Sequence, residues 1–236
     1  MKTHGEPKMK ITNVKKFNKT VKTLANFCKP KNKKDLSNIK IFHDVIFYSD
    51  RKLYASEGHI MGTIDISDCV SNTDVNDFAF PSNTVVNNSI ELDIDRKLII
   101  DGKQIDFKQL NWFFYKRILP TKKPISQMTF DFSEYKDLNV GYDKKKSPHV
   151  TFSKNEVIFD YKDESETICT IEDCFSTDIL NDDFGDFMTV KFPMEQIFRI
   201  MKISKKFTIQ QFQVDCKAME RIIAGDYEFL IMPRLE

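Results

Sequence analysis

Three short stretches of this 236-residue chain recur, in the same order, at a spacing near half its length. Val45-Ile46-Phe47, within "DVIFYSD", returns as Val157-Ile158-Phe159, within "EVIFDYKD", 112 residues on. "TIDISDC" at Thr63–Cys69 returns as "TIEDC" at Thr170–Cys174. "FAFP" at Phe78–Pro81 returns as "VKFP" at Val190–Pro193, with Phe80 and Phe192 again 112 residues apart. A diverged tandem duplication explains the shared order, each half being one supersecondary unit. Halves of about 110 residues are long enough to bury separate cores.

The repeat predicts a flexible leader at 1–8, a first domain at 9–107, a connector at 108–125 and a second domain at 126–236. The connector, "KQLNWFFYKRILPTKKPI", has no counterpart in the second half. Its cluster Trp112–Tyr115 is costly in water unless packed or used in binding. No apolar run is long enough to span a membrane, and "MKTHGEPKMK" lacks the apolar centre of a signal peptide. Cys28, Cys69, Cys169, Cys174 and Cys216 form an odd set with no CxxC pair, which points to buried free thiols in a reducing cytoplasm.

Charge is distributed unevenly. The first forty residues hold twelve lysines against Glu6 and Asp35, while the whole chain sums to only +1. A stretch without acid from Pro7 to Lys34 is a candidate contact for a polyanion. Within it, Ile11, Val14, Phe17, Val21, Leu24 and Cys28 step by three or four residues and predict an amphipathic helix over 11–28. Lys15, Lys16, Lys19 and Lys22 fall on the opposite face, where the sequence supplies no acid to pair with them.

Strands follow, rich in β-branched and aromatic residues: "IKIFH", "VIFYS", "HIMGTIDI" and "NDFAFP". Pro81-Ser82-Asn83 then offers a weak helix start into "SNTVVNN". "SIELDID", "KLIID" and "KQIDF" read as a meander whose last turn is Asp101-Gly102. In the second half "SQMTFDF", "HVTFSKN", "EVIFDY" and "ETICTIED" are strands. Ser133 is placed to cap a short helix with Tyr135, Leu138 and Tyr142 inward. A stronger helix follows "VKFP", with Met194, Ile197, Phe198 and Met201 inward and Arg199, Lys202 and Lys206 outward. "FTIQQFQVD", "MERIIAG" and "YEFLIMPRL" close the chain as strands. The expected class is α+β: two repeated domains, each with two helices packed on antiparallel sheets.

Catalytic frames are missing. The four histidines stand in no HExxH-like spacing, and seven glycines make no phosphate-cradling loop. The acidic runs "KDESE" and "NDDFGD" read as solvated loops rather than metal sites. The expectation is a protein that is not an enzyme and needs no cofactor or metal. Lysines on one helix face instead contact phosphates as point charges and read no base. Contact with double-stranded DNA would then be sequence-independent and sensitive to salt.

The order helix, strands, "FP", helix, strands, written twice and closed by "YEFLIMPRL", resembles the DNA sliding clamps. The ending is similar to the "MP-R-L" close of the bacterial β-clamp, with one residue missing between Pro233 and Arg234. Length and domain count are similar to proliferating-cell nuclear antigen and the trimeric phage clamps, and the Lys-, Asn- and Ile-rich composition suits a viral or phage source. The resemblance implies a DNA-clamp fold and a ring of six units, hence a homotrimer of two-unit chains. It implies a processivity factor that tethers a DNA polymerase and other replication partners after a clamp loader has placed it on DNA. It points Lys15, Lys16, Lys19, Lys22, Arg199, Lys202 and Lys206 toward DNA, with Lys136 and Lys144 beside them. It places a partner-peptide pocket at Leu230, Met232 and Pro233, and the protein in the cytoplasm, that of the host if phage-encoded. The alternative is a clamp-fold viral transcription factor or structural protein that does not encircle DNA.

Overall fold

Asn13 sets the start of the first helix. Its side-chain oxygen accepts the Lys16 amide at 3.0 Å, which satisfies one of the donors left open in a first turn. Helix α1 therefore runs Val14–Ala25, shorter at both ends than the apolar spacing predicts. Ile11 instead ends strand β1 (Lys8–Ile11), and Cys28 lies past the helix end. Phe17, Val21 and Leu24 are buried as the stripe requires, each stabilising the packed helix by about 1.5–3 kcal/mol relative to exposure.

The computed structural model describes residues 8–28, 44–71, 77–93, 95–107, 109, 120, 123–135, 148–161, 167–172, 187–214 and 217–231. The chain divides into two units, Met1–Leu119 and Pro120–Glu236. In the first, β2 (Val45–Ser49), β3 (Lys52–Ser56), β4 (Ile60–Asp65) and β6 (Phe78–Pro81) form an antiparallel run in the order β4-β3-β2-β6. Helix α1 packs across β2, β3 and β4. A second sheet joins β5 (Val70–Ser71), β1, β7 (Ser89–Leu92), β8 (Leu98–Ile100) and β9 (Lys103–Ile105) in the order β5-β1-β7-β8-β9. Asp101 and Gly102 close the β8–β9 hairpin with φ of 51° and 77°, the left-handed pair that the Asp-Gly dipeptide predicts.

In the second unit, β11 (Pro148–Phe152), β12 (Glu156–Tyr161), β13 (Thr167–Glu172) and β14 (Val190–Pro193) run β13-β12-β11-β14. Helix α2 (Met194–Met201) follows and packs on β11 and β14. Strands β10 (Ser126–Asp131), β15 (Lys206–Val214), β16 (Lys217–Ala224) and β17 (Tyr227–Ile231) run β10-β15-β16-β17, all antiparallel. Alternation in β10 turns Ser126, Met128 and Phe130 inward. Phe130, Phe132, Phe152 and Phe207 are fully buried, with ring centroids 4.8–6.5 Å apart.

The two four-strand runs have one topology, so residues can be matched by register. Ile64 pairs with Leu53, and Ile171 with Val157; Thr63-Ile64-Asp65 and Thr170-Ile171-Glu172 are therefore equivalent. Phe80 opposite Ile46 matches Phe192 opposite Val150. The Val-Ile-Phe echo is displaced by one strand. Val157 faces Phe152 as Leu53 faces Tyr48, which makes β12 the counterpart of β3 rather than of β2.

Helix content is lower than expected. After "FAFP" the chain turns through Ser82–Asn88 without forming a helix. Thr84, Val85 and Val86 are β-branched, and the asparagines around them favour turns over helix interiors. The Asn18 side chain takes over the backbone bonding there: Nδ2 donates to the Val86 carbonyl at 2.7 Å and Oδ1 accepts the Val86 amide at 3.0 Å. The helix expected from Ser133 begins as a turn at Ser133-Glu134, and residues 136–147 lie outside the described residues. The antiparallel α+β layering holds, with sheet dominant and two helices among the described residues.

Candidate nucleic-acid interface

Helix periodicity sorts the α1 side chains into three tracks. Lys15, Lys19 and Lys22 recur at i, i+4 and i+7, and all three are exposed along the outer crest. None of them has an ion-pair partner among the described residues. Two shoulders flank this ridge. One carries Asn18, bound to Val86; the other carries Lys16.

Lys16 departs from the expectation of an unpaired basic face. Its ammonium is held by the Asp68 carboxylate, which projects from the turn after β4. That hydrogen bond, and a second from the Cys69 thiol at 3.2 Å, draw the Asp68 carboxyl below its ordinary range. Burial, with Asp68 adding to it, pushes Cys69 up to about 12, so the thiol stays protonated and unreactive. Cys28 is likewise a buried free thiol, whereas Cys169 is partly exposed.

In the second unit α2 buries Met194, Ile197, Ile200 and Met201, while Phe198 stacks on Phe159 at 6.1 Å. Arg199 does not stand free in solvent as its place on the helical wheel suggests. Its guanidinium donates to Glu195 Oε1 at 2.6 Å, one turn back, and its side chain is only 19% exposed. Lys202, at the helix end, and Lys206, at the head of β15, are exposed. The backbone of Lys206 pairs with Asp131 on β10.

Leu230 is buried on β17, its backbone paired with Arg221. Lys136, Lys144, Met232, Pro233 and the Trp112–Tyr115 cluster lie outside the described residues, as do both acidic runs. Among the described residues no group of three or more His, Cys, Asp or Glu side chains could hold a metal ion, and no helix is long and apolar enough to cross a membrane. Asp68, Asn18 and Glu195 are the residues that sequence reasoning missed. Glu195 alone left a local signal, its i,i+4 spacing to Arg199; Asp68 and Asn18 act across 52 and 68 residues of chain.

No protein-family model and no curated protein matches the chain. Solved structures do. A Helicobacter pylori β clamp bound to a DNA ligase peptide superposes with a TM-score of 0.64 at 13% identity, covering 97% of this chain and 66% of its own. The DNA polymerase sliding clamp of Pseudomonas aeruginosa gives 0.59 at 11%, with coverages of 97% and 66%. DNA polymerase III subunit beta of Borrelia burgdorferi gives 0.61 at 16%, with 97% and 63%. The chain thus spans about two thirds of the length of the clamps it matches. Nearly all of it follows their path, and on that ground the chain has the fold of the DNA sliding clamps.

Proposed function

We propose that the chain is a DNA polymerase processivity factor, a non-enzymatic ring that encircles duplex DNA and holds replication proteins to it. The observation that carries this reading is the exposed Lys15–Lys19–Lys22 ridge on a chain with the sliding-clamp fold. Point charges on a helix crest meet phosphates without reading bases. Such contacts are weak and interchangeable along the duplex, which suits a body that must stay on DNA while moving along it. Lys202 and Lys206 are the corresponding cations of the second unit, with Lys16, Arg199, Lys136 and Lys144 as further candidates.

Two units per chain and a ring of six units give a homotrimer. Strands β9 and β13 each end a sheet and leave one hydrogen-bonding edge without a partner strand among the described residues. Unpaired edges of this kind are where copies of a chain can join. One of the matched structures holds a DNA ligase peptide; a DNA polymerase, a clamp loader and ligase-like enzymes are the partner class we assign, with Leu230, Met232 and Pro233 at the peptide pocket. The reading places the protein in the cytoplasm.

Light scattering and a DNA-retention assay test the reading together. Three chains per particle are expected, and the loaded protein should remain on circular duplex while running off linear duplex. Reversing Lys15, Lys19 and Lys22 to Glu should abolish polymerase stimulation in a chain that still folds. A monomer retained equally on both DNA forms would sink the ring and favour the clamp-fold protein that does not encircle DNA.

A further inference from the structure

We propose that the outer edge of β10, at Gln127 and Thr129, is a docking lane for an extended segment of a partner protein, which adds to the second unit as an antiparallel strand. The inference goes beyond the DNA reading and does not use the lysine ridge.

Hydrogen-bond phase locates the open groups. The Phe132 amide donates to the Lys205 carbonyl at 3.0 Å, one step beyond Asp131 opposite Lys206. Antiparallel pairing alternates, so Phe130 and Met128 also bond β15, whereas Thr129 and Gln127 turn N–H and C=O away from it. Those four backbone groups have no partner among the described residues. The side chains do not fold back over them. Gln127 Oε1 accepts from Gln210 at 2.8 Å, and the Thr129 hydroxyl meets that of Thr208 at 2.8 Å.

Other sheet ends show how this chain guards an edge. Along β6 the Gln109 side chain takes both the N–H and the C=O of Ala79, at 2.9 and 3.0 Å. Arg96 donates to the Asp77 carbonyl at 3.2 Å, and Pro81 has no N–H to offer. Strand β14 carries Lys191 and Pro193. Strand β10 has neither lysine nor proline, and its register with β15 is unbroken. An edge in that state is a template for another backbone.

The first unit shows what fits there. Ile11, whose amide donates to the Asn88 carbonyl at 2.7 Å, holds the place of Phe132; Lys10 therefore matches Asp131, and Lys8 matches Thr129. Beside β1 the lane is taken by β5, antiparallel, with Ser71 opposite Lys10 and Val70 opposite Ile11. That pairing reaches no further than Lys10, so the positions of Thr129 and Gln127 lie in the part of the lane left for a strand from outside. Two apolar side chains mark its head. Ile125 is 41% and Met188 49% exposed. Gln211 holds both backbones, its carbonyl accepting the Ile125 amide at 2.8 Å and its side chain the Met188 amide at 2.9 Å. An apolar side chain on the incoming strand can cover them. Charges nearby stand in opposed couples, Asp131 across from Lys206 and Arg221 against Glu228, with Lys123 exposed ahead of Ile125. Recognition therefore rests on extended backbone rather than on charge.

Amide hydrogen exchange in the full-length chain tests the lane, with acetyl-Thr-Val-Ser-Val-Thr-amide as the probe. The Gln127 and Thr129 amides should exchange freely in the protein alone. They should slow about tenfold as the peptide saturates, since each gains a hydrogen bond, and added salt should not reverse the effect. The same peptide N-methylated throughout cannot donate, and its methyl groups hold the backbones apart; it should leave both rates unchanged. Slow exchange at both amides before any peptide is added would show that the chain covers this edge itself and overturns the lane. No slowing with the peptide, or equal slowing with its N-methylated form, overturns it as well. None of these results bears on the lysine ridge, so the DNA reading stands or falls separately.

Discussion

Asp68 holds the Lys16 ammonium from the turn after β4, across the shoulder of α1. Both side chains are substantially exposed, at 59% and 40%, and exposed pairs contribute little to folding. On the proposed function this pair bears on binding: a carboxylate that occupies Lys16 competes with any phosphate for it and would weaken the hold of the helix on a duplex.

Asp68→Asn should therefore leave thermal stability almost unchanged while tightening DNA binding. Removing the carboxylate beside Lys16 should steepen the salt slope, by at most the ~0.9 of one added phosphate contact. Affinity and salt slope both identical to the parent would place Lys16 away from the DNA path.

Asp101 ties the β8–β9 turn to the head of β7. Burial alone would push its carboxyl up, but the amides of Ser89, Asn87 and Asn88 and the Asn87 side chain outweigh it and hold the carboxyl below its ordinary range. A depressed folded-state value stabilises the fold above the unfolded carboxylate range near about pH 4. The contribution is lost as pH falls through the lower, folded value. Asp101→Asn keeps a residue tolerant of the left-handed backbone at φ 51°, removes the charge and turns one of the two accepting oxygens into a donor facing other N–H groups. A loss of about 1–3 kcal/mol is expected at neutral pH. The gap between parent and variant in urea titrations should narrow on acidification; a gap that widens would contradict the assignment.

What could be read from sequence depended on how many constraints a stretch carried at once. "FAFP" and "VKFP" combine strand residues with a proline that ends the strand, and they mark register equivalents, Phe80 and Phe192. "TID" and "TIE" each end a strand on an acidic residue and are also equivalent. Val-Ile-Phe satisfies only the demand for a buried strand, which many strands here make, so its echo slipped from β2 to β12. The buried face of α1 was legible because 3.6-residue periodicity is local. Its true start was hidden in the Asn13 cap, and the fate of its basic face lay in Asp68 and Asn18. Those partners are set by the tertiary fold, and no periodicity points to them. The missing helix after Phe80 was signalled by the β-branched run Thr84–Val86.

Phe207 sits at the centre of the second unit's aromatic core, within 5.8–6.2 Å of the Phe130, Phe132 and Phe152 rings. Phe207→Ala removes a side chain that is only 1% exposed and leaves a cavity bounded by stiff rings. The expected loss is about 3–5 kcal/mol, with a smaller cost for Phe207→Leu. Chemical denaturation measures both. Near-equal midpoints for parent and Phe207→Ala would mean that this cluster does not hold the unit together.

Arg199 and Glu195 make the last case, because their pairing separates two roles for one cation. Glu195 lies in the first turn of α2 and Arg199 in the last, each at the end where the helix dipole favours its charge. The pair itself contributes about 0.3–0.5 kcal/mol, as i,i+4 pairs do. While Glu195 occupies the guanidinium, Arg199→Ala should change DNA affinity less than Lys202→Ala, which removes an exposed ammonium. Glu195→Gln should weaken the hold on Arg199 and, on the proposed DNA reading, strengthen binding, and in that background Arg199→Ala should cost more than it does in the parent. The double-mutant cycle, read as duplex affinity at two salt concentrations, isolates this coupling. Additive effects in the cycle would show that Arg199 serves the helix alone, leaving Lys202 and Lys206 as the DNA-facing cations of the second unit.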